Sequence, residues 1–213
     1  MYDIALNIIK ELYELGYESY IIGGYPRDLL LNLKSNDIDI CTSANPNILK
    51  KLFLVIEDNS KFGSLKIKKE GYIFEITTFR IDLEYNGRYP KILYTTSLRK
   101  DLQRRDFTIN TICIDKDENI IDLLNGKLDL DKRVIRCVGN CDKKIKEDPI
   151  RIMRAIRFAG KYDFLLEEKL KNSIIIYGYL LKNISKNKIN QELNKMNKKS
   201  LGLIKKLNIE EFL

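Results

Sequence analysis

Histidine is absent from this chain of 213 residues, and that absence removes several chemistries at once. Ser-His-Asp and Cys-His triads cannot be assembled, and no imidazole is available as a general base. Any catalysis rests on carboxylates, arginines, lysines and metal. Cysteine is sparse. Cys41, Cys113, Cys137 and Cys141 show no framework spacing, and Cys137 and Cys141 have no histidine to complete a mixed zinc site. They read as buried or free thiols of a reducing compartment. No apolar run approaches membrane-spanning length. The opening Met1-Tyr2-Asp3-Ile4-Ala5 lacks the basic segment and apolar run of a signal peptide. Internal repeats and low-complexity linkers are missing too. The expectation is a soluble, cytoplasmic protein.

What the chain has is positive charge. Its 38 lysines and arginines outnumber 30 aspartates and glutamates, for a net charge of +8. That excess points to a polyanionic partner such as nucleic acid. The length suits one domain, or one domain with a smaller appendage, and buries a core without disulfides.

Residues 20–41 carry the densest chemistry. They read as a short apolar strand, a glycine turn at Gly23-Gly24, a short helix, and a strand bearing Asp37 and Asp39. Strand side chains alternate, so both carboxylates face one way and Ile38 and Ile40 the other. Paired acids cost energy unless a cation sits between them, and an all-oxygen set suits magnesium. The competing reading is a surface strand with two solvated acids. Gly23 and Gly24 permit a tight turn with exposed N–H groups, and Pro26 suits the start of a helix. With Arg27 beside it, that helix start reads as a phosphate cradle.

Elsewhere, Ile4, Leu6, Ile8, Ile9, Leu12 and Leu15 recur at helical spacing before a stop at Gly16. A second helix starts between Ser43 and Pro46. Residues 63–68 and 72–79 read as two strands broken at Glu70-Gly71. Glu75 shares a strand face with Ile73 and Thr77. It is either a solvated face residue or, if the strands are neighbours, a third carboxylate beside Asp37 and Asp39. Residues 80–96 are polar, with Asn86-Gly87 and Pro90, and read as a mobile loop. Arg104-Arg105-Asp106 is either a solvated ion-pair cluster or a fixed, partly buried arginine site for phosphate. Residues 119–136 read as a strand, a turn at Asn125-Gly126, and a strand at Val134.

Residues 147–159 switch to strong helix, with Asp148 as N-cap and Pro149 as first helical residue. Arg151, Arg154 and Arg157 follow one face, and Ile152, Ile156 and Ala159 the packing side. With only Asp148 close by, the stripe would repel itself in isolation; it reads either as a solvated face or, better, as a face turned to phosphate or base edges. From Leu165 the chain reads as basic helix. Its lysines suit either a solvated surface or an RNA backbone.

These segments follow one family's order and spacing. They are Gly23-Gly24-Tyr25-Pro26-Arg27-Asp28 with Asp37-Ile38-Asp39, then Glu75-Ile76-Thr77-Thr78-Phe79-Arg80. Arg104-Arg105-Asp106-Phe107-Thr108-Ile109-Asn110 comes next, and Glu147-Asp148-Pro149-Ile150-Arg151 running on to Ala159 completes the set. Together they resemble the bacterial-type (class II) tRNA nucleotidyltransferases, or CCA-adding enzymes, and their poly(A) polymerase relatives, over roughly residues 15–165. The resemblance implies an α+β fold. A nucleotidyltransferase head with a small mixed β-sheet and flanking helices would occupy residues 1–140, and an all-α neck 141–213.

It also implies a function: addition of C and A to an RNA 3′ end from CTP and ATP, with tRNA as acceptor and pyrophosphate released. Asp37 and Asp39 would hold Mg2+ for two-metal in-line displacement, with Glu75 as a third catalytic carboxylate. Gly24, Arg27, Arg105, Asp148, Arg151, Arg154 and Arg157 match nucleotide-contacting positions. Asp148 and Arg151 would form the protein template for the base. An aspartate accepts from the exocyclic amino group that C and A share, and arginine donates to the ring nitrogen beside it. Pro26, Asn32 and Thr111 depart from the usual valine, glycine and alanine, and none removes a catalytic group. The body and tail that grip tRNA in this family are missing or cut short, which leaves oligomeric state open, a dimer included. Residues 80–96 resemble the full-length flexible loop, which argues against a C-only enzyme. An A-adding or poly(A)-type enzyme is the near alternative, and a catalytically inactive RNA-binding module the distant one.

Overall fold

The computed structural model describes residues 1–35, 37–86 and 89–213. The chain divides into two compact units. The first comprises residues 1–84, 90–105 and 109–126, and the second 85–89, 106–108 and 127–213.

The first unit opens with helix α1 (Tyr2–Glu14), strand β1 (Ser19–Ile22) and helix α2 (Gly24–Leu30). Strand β2 (Asp39–Thr42), helix α3 (Pro46–Leu52) and strands β3 (Leu54–Asn59), β4 (Ser64–Lys69) and β5 (Tyr72–Thr78) follow. Then come β6 (Arg80–Asn86), β7 (Tyr89–Tyr94), α4 (Leu98–Gln103), β8 (Cys113–Ile114) and β9 (Ile120–Ile121). Seven strands form one mixed sheet in the order β3-β4-β5-β2-β1-β8-β9. Within it β2 runs parallel to β5 and antiparallel to β1.

Alternation along the strands gives the sheet two different faces. Ile21, Ile40, Ile67, Phe74 and Ile76 point to one side, where they bury Ala5, Ile8, Ile9 and Leu12 of α1 and Leu49 of α3. The helical spacing of α1 therefore produces the expected packing stripe, while Leu15 lies beyond the helix and is 51% exposed. Gly16 takes φ 86° just past its end. The opposite face is covered only in part, by Leu98 and Leu102 of α4 over Ile22, Cys41, Phe79 and Cys113.

Several readings change. Residues 80–86 and 89–94 form the two-stranded β6–β7 sheet rather than a loop. Gly87 and Arg88 lie outside the described residues, as does Asn36 of the opening stretch. Leu54–Asn59 is an edge strand that charge and exposure had hidden. Helix α3 starts within the expected span, capped by Asn45, whose side chain accepts from the Ile48 N–H at 3.1 Å. Asn32, where the family usually has glycine, adopts φ 55°, a conformation asparagine tolerates better than most residues.

The second unit contains α5 (Gly126–Asp131), β10 (Val134–Ile135), α6 (Cys141–Glu147), α7 (Ile150–Tyr162) and β11 (Leu165–Leu166). Helices α8 (Glu168–Tyr177), α9 (Lys186–Leu193) and α10 (Lys198–Lys206) complete it. The segment after Asn125-Gly126 is thus helix before it is strand. Leu165 and Leu166 pair in parallel with Val134 and Ile135 before the helices resume. Pro149 is the N-cap of α7, and Asp148 closes α6 instead. The Asp148 Oδ1 still accepts from the Ile150 N–H, at 3.3 Å. All four cysteines are free and buried. No helix among the described residues is long and apolar enough to cross a membrane.

Helix α7 is the axis of this unit. Ile152, Met153, Ala155 and Ile156 are fully buried, and Gly160 lets α10 approach. A Cβ at Gly160 would stand 2.1 Å from Ser200 Oγ and 2.4 Å from its backbone N. Asn197 ties the contact, its Nδ2 donating to the Gly160 carbonyl at 2.9 Å. Gly160→Ala would gain about 1 kcal/mol of helix propensity, but overpacking against backbone costs about 1–3 kcal/mol. We expect the variant to melt lower, by about 2–4 °C per kcal/mol lost. A raised melting temperature in calorimetry would show that α10 yields.

Candidate active site

The exposed face of the first unit's sheet brings carboxylates together across β2 and β5. Asp39 is the register partner of Glu75, as Ile40 is of Ile76. Strand neighbours lie about 4.8 Å apart, so the two acids are adjacent on one face. Asp37 is exposed like Asp39, and Ile38 and Ile40 between and beyond them are buried. The alternation read from sequence therefore holds, although Asp37 stands before the strand rather than within it.

Adjacent acids repel, and their neighbours offset this. The Ser64 hydroxyl donates to Glu75 Oε1 at 2.5 Å. Lys66 lies opposite Glu75 on the next strand. Glu57, with which Lys66 pairs at 2.6 Å, and then Glu75 hold its ammonium above the usual lysine range. Gly23 sits at φ 82°, and a Cβ there would stand 3.1 Å from Asp39 Oδ2. Only glycine both adopts this turn and leaves the carboxylate uncrowded.

Asp39 and Glu75 line a cleft of about 230 Å³, shared with Ser64, Arg80, Arg104 and Arg105. The arginines are not loose. Arg104 Nε donates to Asp101 Oδ1 at 2.8 Å, and an Arg105 terminal nitrogen to Asp101 Oδ2 at 3.1 Å. Asp101 is fully buried. Burial alone would raise its carboxyl, but the Arg105 and Arg104 guanidiniums outweigh that and hold it below the usual aspartate range. Arg80 pairs with Asp82 at 3.0 Å and also donates to the Phe62 carbonyl. Sequence reasoning singled out Arg105 and missed Asp101. The signal was there, since Asp101 precedes the two arginines at helical i,i+3 and i,i+4 spacing.

Arg27 is buried at 4% exposure. Its Nε donates to Asp28 Oδ1 at 2.8 Å, and another guanidinium nitrogen donates to Asn110. It thus joins α2 to the end of the Arg104–Asn110 motif. Gly24 is the first residue of α2, where a Cβ would come only to 3.4 Å from the Arg27 guanidinium.

Among the described residues, no three or more Asp, Glu or Cys side chains form a ready-made metal cage. Magnesium does not need one. It keeps several waters and takes one or two carboxylates plus substrate phosphate. The exposed oxygens of Asp37 and Asp39, with Glu75 alongside, fit that donor chemistry, and the approach that Gly23 leaves clear to Asp39 Oδ2 fits it too.

In the second unit every arginine of the α7 stripe has an acid partner, so the self-repulsion expected from the sequence does not arise. Arg151 donates to the Lys144 carbonyl at 2.6 Å and to Glu147 Oε2 at 3.2 Å. Arg154 pairs with Asp106 at 2.6 Å, and Arg157 with the buried Glu192 at 2.6 Å. Arg157 also lies over the Phe158 ring. Burial would pull the Arg151 guanidinium down, but Tyr85, Asp106 and Asp148 outweigh it and hold it above its ordinary value. The partners Glu147, Asp106 and Glu192 come from three different segments, and only Glu147 stands at helical spacing from its arginine. The lysines of the C-terminal helices, among them Lys182, Lys188, Lys198 and Lys205, are exposed.

Known proteins match this chain closely. The CCA-adding enzyme of Lactobacillus johnsonii is 42% identical over 199 residues, covering 92% of this chain and 50% of that enzyme. The crystal structure of the Bacillus stearothermophilus CCA-adding enzyme in complex with CTP superposes with a TM-score of 0.84 at 38% identity, over 90% of this chain and 47% of that one. The Thermotoga maritima CCA-adding enzyme complexed with tRNA superposes with a TM-score of 0.77 at 29% identity, over 97% of this chain and 50% of that one. The chain thus spans about half the length of the curated relatives it matches. The poly A polymerase head domain profile matches residues 19–136, more than half of the chain. This chain belongs to the poly A polymerase head domain family.

Proposed function

We propose that this protein is a magnesium-dependent RNA 3′-terminal nucleotidyltransferase that adds C and A from CTP and ATP, with tRNA as acceptor, in the cytoplasm. The observation that carries the proposal is the register pair Asp39–Glu75, set on an open sheet face in one cleft with Arg80, Arg104 and Arg105. Carboxylates for a divalent ion beside cations for a triphosphate are the parts that phosphoryl transfer requires. The relatives bound to CTP and to tRNA support the choice of substrates.

Asp37 and Asp39 would hold the metal, with Glu75 completing the acidic edge. Magnesium bound there would stabilise phosphoryl charge and make the RNA 3′-hydroxyl a better nucleophile. Arg105, with Arg27 and Gly24 at the α2 start, would bind and orient the triphosphate. In the second unit, Asp148 and Arg151 would read the base, with Arg154 and Arg157 beside them on α7. Arg151 is suited to this, because Glu147 and the Lys144 carbonyl fix its guanidinium. U and G place a carbonyl and an N–H where C and A place an amino group and a ring acceptor. Each mismatch leaves a polar contact unpaired at about 1–3 kcal/mol.

The direct test incubates the protein with magnesium, tRNA lacking its 3′ end, and each labelled nucleotide separately. C and A should be incorporated and U and G not. No incorporation on any RNA offered would refute the enzyme. Asp39→Ala should lower incorporation by at least about a thousandfold while RNA retention on filters stays near wild type, and retained activity would sink the metal assignment. Arg151→Ala should narrow the preference for C and A over U by about tenfold to a hundredfold. Unchanged selectivity would count against the template.

A further inference from the structure

Asp101 binds no substrate group in the reading above, yet both of its oxygens are engaged by arginines that line the cleft. It is fully buried, 0% exposed. Its Oδ1 accepts from Arg104 Nε at 2.8 Å and from the Arg80 backbone N–H at 3.1 Å. Its Oδ2 accepts from Arg105 at 3.1 Å. One acid therefore ties together the start of β6 and two adjacent guanidiniums at the end of α4, all three arginines lining the same cleft as Asp39 and Glu75.

A salt bridge of this kind contributes little net stability, because desolvating a buried carboxylate offsets most of the attraction. What it does supply is geometry. An arginine carries five N–H donors in a rigid fork, and fixing one edge of the fork aims the rest. Arg105 retains an unmet demand: its Nε is buried without a hydrogen-bond partner among the described residues. A buried orphan donor costs about 1–3 kcal/mol until an acceptor arrives. Arg80, Arg104 and Arg105 line one side of the cleft, and phosphate oxygens match guanidinium donors in charge and geometry.

We propose that Asp101 is a positioning residue: it sets Arg104 and Arg105 so that they receive the triphosphate of the incoming nucleotide. The assignment rests on the nucleotidyl-transfer reading for the identity of the anion. Asp101 touches neither nucleotide nor metal; it acts through the two guanidiniums.

The test is binding of inorganic tripolyphosphate, without base, RNA or metal, measured by titration calorimetry. Asp101→Asn keeps the shape, removes the charge and turns one accepting oxygen into a donor facing a guanidinium. Its affinity for tripolyphosphate should fall by at least about tenfold, and KM for CTP should rise more than kcat falls. Asp101→Glu, which restores the charge and both oxygens, should recover most of the loss. Should Asp101→Asn fail to fold, Arg104→Lys serves instead. It keeps the charge but loses the fork, and it should weaken tripolyphosphate binding several-fold. Tripolyphosphate affinity equal to wild type in the folded variant, or no binding by the wild type, overturns the assignment. If the wild type incorporates no nucleotide and Asp101→Asn still loses tripolyphosphate, the positioning role stands and the transferase reading falls. If incorporation proceeds with an unchanged KM in Asp101→Asn, the reverse holds.

Discussion

The parallel pairing of β2 with β5 is the constraint on which the cleft depends. It sets Asp39 directly across from Glu75, an arrangement that electrostatics opposes and packing enforces. Ile40, Phe74 and Ile76 on the reverse face are fully buried. A slip of one residue would turn the acids into that core and the isoleucines into water. Burial on one face thus holds like charges together on the other. In the proposed function a divalent cation would complement what remains, and glycine at position 23 avoids crowding Asp39 Oδ2.

In each unit the arginines are organised by polar partners, most of them acids. Asp28 and Asn110 hold Arg27, and Asp101 holds Arg104 and Arg105. In the other unit Glu147, Asp106 and Glu192 hold Arg151, Arg154 and Arg157. Pairing of this sort is weak support for stability, but it fixes direction. Lys182, Lys188, Lys198 and Lys205 of the C-terminal helices are exposed. Oriented guanidiniums suit bidentate recognition of phosphate, and exposed lysines suit a polyanionic backbone.

Where a pattern was strong and local, the sequence revealed it. The α1 stripe, the β4–β5 hairpin at Glu70-Gly71 and the packing side of α7 all needed only periodicity and turn chemistry. Where one face carries no apolar signal, it did not. Leu54–Asn59 has the burial of an exposed edge, and the polar residues 80–86 and 89–94 pair mainly with each other. Asp148 and Pro149 both suit a helix start, and a one-residue difference in which of them caps α7 lies within what local rules resolve. For the site residues, the types and their motifs were visible, while their partners were not. Asp101 could have been found from its spacing. Asp106 with Arg154, and Glu192 with Arg157, are 48 and 35 residues apart, and no local rule connects them.

The amino-acid sequence by itself determined which chemistry is available. A chain without histidine, with Asp37 and Asp39 at alternating positions and arginines in fixed motifs, is left with carboxylate, guanidinium, lysine and metal chemistry, because side-chain type sets which protons and ions a group can hold. Only the tertiary structure decided that Glu75 stands beside Asp39, and that Arg154 and Arg157 are paired with Asp106 and Glu192 rather than bare. Those outcomes depend on strand register and helix packing, and both are set by long-range burial that no window of sequence contains.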